Sequence, residues 1–247
     1  MISKISELFS KAPFPAIMTI ISFFAFVRIY FVLITTSVEP KYLEGLIFLV
    51  PFACFGIMTF LGAKERYKIA SSPVSTCLVI IILGFFMLFA LIVISFDTAT
   101  TETKDAGKYQ RVLQLSDYPD NELIKCFPSE IPNNAKDIVF QYNPAFLQGG
   151  EVFLLKFATD IESIENYSKE FSLNSKWVGK PNDSEAGENG ICTGMFDNLG
   201  YTDLPEDFVI YLIDSKAYKP NDWNHGVITL VAISKQRKEI IYFAESW

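Results

Sequence analysis

Histidine is almost missing from this chain of 247 residues: there is one, His225, alongside four cysteines. A histidine general base, or a metal site using imidazole, therefore has a single candidate. Cys54, Cys77, Cys126 and Cys192 stand far apart, which excludes the paired spacings of zinc and thiol-redox sites. No glycine-rich loop has the spacing that cradles a nucleotide phosphate. The sequence thus calls for no metal and no cofactor, and no set of residues forms a recognisable catalytic motif. Acidic charge is scarce at the start. Four of the 28 Asp and Glu and seven of the 21 Lys and Arg precede Asp97, so the first 96 residues carry +3 and the rest −10. A domain at −10 repels phosphate backbones, and nucleic acid is not an expected partner.

Long apolar runs fill the acid-poor part. Residues 14–36 contain one charge, Arg28, while 45–63 and 74–96 contain none. A helix of about 20 apolar residues crosses a ~30 Å hydrocarbon core. The expectation is a three-helix transmembrane anchor in residues 1–96, with spans at 14–36, 43–63 and 74–96 and the lipid bilayer as a partner. A cleaved signal peptide fits poorly, because Arg28 interrupts the first run and no small-residue cleavage site follows. Lys4, Lys11, Lys64, Arg66 and Lys68 flank the spans on one side; Lys41 and Lys104 flank them on the other. Cations favour the cytoplasm, so the N-terminus is expected inside and the C-terminal domain outside.

Arg28 sits about two thirds of the way across the first span, where a charge is costly. It either snorkels to the interface beside Tyr30 or forms an intramembrane ion pair with Glu44. Pro51, inside the second run, is expected to kink it. Cys54 and Cys77 read as apolar filler.

Beyond a Thr-rich linker at 97–107, residues 108–247 read as an α+β domain. Strands are expected at 137–142, 151–158, 190–196, 208–214, 227–233 and 239–245, from β-branched and aromatic content and alternation. A short helix is expected at 117–126. An amphipathic helix follows a capping-box pattern at Thr159-Asp160-Ile161-Glu162 and runs to about residue 173, with Ile161, Ile164, Ser168 and Phe171 inward. The spacing of these elements predicts a mostly antiparallel sheet packed on one amphipathic helix.

Several residues are candidates for function. Trp223 and His225 share a turn before a strand and make a candidate surface site. Glu206, Asp207 and Asp214 are neighbours in sequence, and a carboxylate pair can hydrolyse glycosides at set separations. Cys126 and Cys192 are the only cysteines of the domain and are candidates for a disulfide in an oxidising compartment. Phe127, Phe140, Tyr142, Phe146, Trp223 and Trp247 lie near expected loop ends, where exposed rings make recognition surfaces.

Two stretches carry a resemblance. Phe127-Pro128-Ser129-Glu130-Ile131-Pro132, continuing to residues 144–150, and Trp223-Asn224-His225-Gly226, continuing to residues 242–247, resemble an uncharacterised family of Gram-positive envelope proteins. The family has His-Phe-Pro where this chain has Cys126-Phe127-Pro128, and an Ala-Glu-Asp-Trp-like tail where it has Ala244-Glu245-Ser246-Trp247. The resemblance implies a bacterial cell-surface location and brings no activity with it. The expected role is binding of a cell-wall component or another envelope protein; the alternative is a surface hydrolase using His225 or an acidic pair.

Overall fold

The computed structural model describes residues 8–147, 150–191, 194–217 and 225–247. The chain divides into two compact units, residues 1–98 and 99–247.

The first unit holds three helices long and apolar enough to cross a membrane, Pro13–Thr35, Glu44–Gly62 and Pro73–Thr100. The chain is thus a multi-pass membrane protein with three candidate spans. Helix α1, Pro13–Thr35, starts on a proline whose missing N–H costs nothing in a first turn. Its 23 residues measure ~34 Å. Its hydroxyls bond back to their own helix, Thr19 to the Pro15 carbonyl at 2.8 Å and Ser22 to that of Met18 at 2.7 Å. These two hydroxyls are thereby satisfied within the helix rather than left to lipid. The second span begins as a 3₁₀ turn, Glu44–Leu49, and continues as α2, Val50–Gly62. Pro51 therefore occupies the first turn of α2 rather than kinking a continuous helix, since a proline fits where no intrahelical donor is needed. Helix α3, Pro73–Thr100, runs four residues past the expected end.

Leu33 of α1, Phe48 before α2, and Ala90 and Ile94 of α3 form the small core of this unit. Gly45 lets the second span press against Tyr30, whose ring a Cβ would meet at 2.8 Å. Phe24, Phe31, Phe85 and Phe89 point outward, as lipid-facing residues do. Lys41 pairs with Asp97. Arg28 and Glu44 are both exposed and form no salt bridge with one another. Arg28 thus faces outward on α1, a position from which a long side chain can reach the interface.

The second unit is an α+β domain built on six antiparallel strands: β1 Lys136–Asn143, β2 Glu151–Ala158, β3 Trp177–Gly179, β4 Val209–Lys216, β5 Val227–Ser234 and β6 Glu239–Ser246. Their order is β1-β2-β6-β5-β4-β3. After the β1–β2 hairpin, the chain crosses one sheet face as a helix to reach the far edge. It returns as the β3-β4-β5-β6 meander that closes against β2. Both faces are covered, so β5 and β6 are nearly continuous apolar runs. One face carries Phe140, Phe153, Leu155, Phe157 and Tyr242 beneath the helices; the other carries Leu154, Leu230 and Phe243 beneath Phe196, Leu204 and Phe208.

Several expectations change here. The linker is shorter than 97–107: α3 continues to Thr100, and Thr103 already pairs with Tyr142 of β1. A short helix not foreseen, α4 Tyr109–Leu115, follows, burying Tyr109, Val112 and Leu113. Residues 117–126 form successive tight turns instead of a helix. Asp117 sits at φ 56°, and Asn121 bonds the Ser116 carbonyl and the Leu123 N–H, competing with a helical ladder. The described part of 190–196 is turn rather than strand, because Gly190 and Gly194 take left-handed φ of 86° and 87°. Residues 174–189, for which the sequence pattern assigns neither helix nor strand, hold β3 and a further short helix, α6 Ser184–Glu188, numbered after α5, the main amphipathic helix Ile161–Asn174.

A candidate aromatic cleft beside the main helix

Helix α5 is fixed at its start by Asp160, which caps it in place of Thr159. The Asp160 carboxylate accepts the Ser163 N–H and the Ser163 hydroxyl, each at 2.8 Å, and Asn134 Nδ2 at 2.6 Å. Those donors, the Ser163 N–H foremost, hold its carboxyl below the usual range. Ile164, Ser168 and Phe171 turn onto the sheet, while Ile161 stays exposed. Tyr167, Glu170 and Asn174 recur at three- and four-residue spacing, so they share the flank beside that buried stripe.

The turns at 117–128 face this flank. Ile124 and Phe127 bury completely, and Thr229 of β5 donates its hydroxyl to the Leu123 carbonyl at 2.9 Å. Tyr109 and Tyr118 donate to the carbonyls of Pro128 and Phe127, at 2.5 and 3.1 Å, pinning the segment's end. Between helix and turns lies a cleft of about 560 Å³. Tyr118, Phe127 and Tyr167 wall it, and its floor includes Tyr242 and Ile213. Strand alternation puts Ile213 on this face with Tyr211, opposite Ile210 and Leu212.

Tyr242 is only 1% exposed, and its ring packs on Phe127 and Phe171 at 5.4 and 6.0 Å. Its hydroxyl has no hydrogen-bond partner among the described residues. Yet it is not sealed off, unlike the hydroxyls of Thr98 and Ser168, because it opens into the cleft. Burial pushes this phenol well above its ordinary pKa, with Tyr167, Cys126, Tyr109 and Glu170 adding to the effect. It remains a neutral donor and acceptor.

Cys126 lines the same cleft as a free thiol. Burial pushes it up to about 12, so it stays protonated and unreactive at neutral pH. Cys192 lies outside the described residues. Ile191 and Met195 on either side of it pack on the Leu154–Phe243 face, whereas Phe127, next to Cys126, packs on the Tyr242 face. The expected Cys126–Cys192 disulfide falls on a residue outside those described, while Cys126 itself is a free thiol.

The other candidates scatter. Asp207 accepts the Ser234 hydroxyl at 2.5 Å and Arg237 Nε at 3.0 Å. Glu206 accepts from Asn182 at 3.1 Å, and Asp214 pairs with Lys176. Asp207 sits at the Ser234 end of the sheet, and the five residue steps from Val209 to Asp214 span ~17 Å of strand. Glycosidase carboxyl pairs need about 5–9.5 Å, so Asp207 and Asp214 do not form one. His225 is exposed, at φ 84°, at the opposite end of the sheet next to Val227. Trp223 lies outside the described residues. Phe127, Phe140 and Tyr142, expected as exposed recognition rings, are buried core. Among the described residues no group of His, Cys, Asp or Glu is placed to hold a metal.

Searches against family models, curated proteins and solved structures found no match to this chain. The cleft was not foreseen from the sequence. Its one legible signal is the Tyr167, Glu170, Asn174 flank beside the apolar stripe of α5.

Proposed function

We propose that this chain is a membrane-anchored recognition protein of a bacterial cell envelope. The N-terminus is cytoplasmic and the α+β domain lies outside, where it binds a cell-wall component or another envelope protein. The observation that carries this reading is the cleft beside α5. There a buried hydroxyl without a partner meets aromatic walls, while the carboxylates elsewhere in the domain are spread apart or engaged. Concave, partly apolar sites with a few convergent polar groups are the usual form of a ligand site. The cations at Lys11, Lys64, Arg66 and Lys68 support the sidedness. The resemblance of residues 127–150 and 223–247 to Gram-positive envelope proteins supports the compartment.

The test is photo-crosslinking in intact cells. A photoreactive residue is placed at Leu173, which is 86% exposed beside the cleft, or at the exposed Ser184 or Lys235. The reading expects an adduct with wall material or one discrete protein from position 173. Absence of any adduct from all three positions contradicts it.

A further inference from the structure

We infer that the cleft between α5 and the turns at 117–128 is a binding site for a neutral saccharide. The inference rests on the reading of the domain as a binding module and names the ligand class of its cleft. Three features point to a sugar. Tyr118 and Tyr167, both half-buried at the cleft, offer ring surface against which the C–H faces of a pyranose can lie, and tyrosine adds a polar tip to an apolar body. The polar groups are of mixed kind. Tyr242 has a hydroxyl without a partner, and Glu170 has an exposed carboxylate. Asn174 donates its Nδ2 to the Glu170 carbonyl at 3.0 Å and keeps its Oδ1 as an acceptor. A ligand whose groups both donate and accept suits this set, and hydroxyls do both.

Charge completes the argument. Lys125 and Glu170 contribute one charge of each sign to the rim, and Lys125 is already paired with Glu122. Among the described residues the cleft thus offers no free cation inside an acidic domain, which disfavours a phosphorylated or carboxylated ligand. About 560 Å³ falls within the usual range of small-ligand sites and leaves room for a short oligosaccharide.

The experiment uses the full chain in lipid nanodiscs prepared without sugar detergents. Chitotriose and maltotriose are titrated, with binding read by saturation-transfer NMR and calorimetry. At least one trisaccharide is expected to bind saturably. Tyr242→Phe keeps the packed ring and removes only the hydroxyl; it is expected to weaken binding about fivefold, the usual worth of one neutral hydrogen bond. Tyr167→Ala removes a wall and is expected to weaken binding about tenfold or more. Glu206→Gln, away from the cleft, should leave affinity unchanged. Failure of both trisaccharides to bind, or binding that neither Tyr242→Phe nor Tyr167→Ala alters, overturns the assignment. An adduct in cells combined with such a failure removes the saccharide and leaves the recognition role standing. Absence of adducts at all three crosslinking positions strikes the recognition role itself.

Discussion

Thr103 and Tyr142 exchange two backbone hydrogen bonds: the Thr103 N–H donates to the Tyr142 carbonyl at 3.0 Å, and the Tyr142 N–H donates back at 2.9 Å. Thr103 is 4% exposed, so the chain is bound to the edge strand β1 three residues after α3 ends. Thr103→Pro removes one donor and forbids the pairing; a cost of about 1–3 kcal/mol is expected. Thermal unfolding of the full chain measures it. In the unmodified protein, hydrogen exchange should find the Thr103 amide protected, unlike those of a free linker.

Tyr142 also donates its hydroxyl to Glu151 at 3.0 Å, whereas Glu245, half-buried nearby on β6, has no partner among the described residues. Burial raises the Glu245 carboxyl above its ordinary 4.5. A raised native pKa means the folded state holds the proton more tightly. Its stabilising contribution is complete below the unfolded pKa and is lost as pH rises through the folded one. Glu245→Gln is therefore expected to stabilise the protein at pH 7, by up to about 1 kcal/mol. The gain should vanish below about pH 4. Denaturant melts at the two pH values read it.

Much of this architecture is legible in the residues. Alternation at Phe153, Leu155 and Phe157 marks β2 at the bounds later found, and the apolar stripe at Ile164, Ser168 and Phe171 marks α5. Local chemistry decides both, so local reading works. The segments that resist it depend on backbone conformations set by tertiary contacts. Asp117 at φ 56° is one case, and the turns around Gly190 and Gly194 are another. The cleft was hidden for a related reason: Tyr118, Tyr167 and Tyr242 meet only after the α5 crossover brings them together.

Cys126 gives a chemical check. With Cys54, Cys77 and Cys192 replaced by alanine, its thiol, pushed up to about 12, should resist maleimide at pH 7.5 and react once the chain is unfolded. The intact mass of the native chain should be unchanged by reduction. A gain of two hydrogens would mean a bridge.

Arg28 lies exposed on α1 with no salt bridge to Glu44. Arg28→Leu should leave membrane insertion intact or improve it, since the cost of the charge disappears. Abundance in the membrane fraction checks this. Glu44→Gln, if the two residues act independently, should change the behaviour of the Arg28→Leu variant very little.

The most direct test of the central claim, an anchored domain facing outward, is sidedness. Single cysteines at Ser184 on α6 and Ser71 before α3, in a chain whose native cysteines are replaced, are treated on intact cells with a membrane-impermeant maleimide. The account expects label at position 184 and none at 71 until the cells are opened. Label at 71 with none at 184 would contradict it.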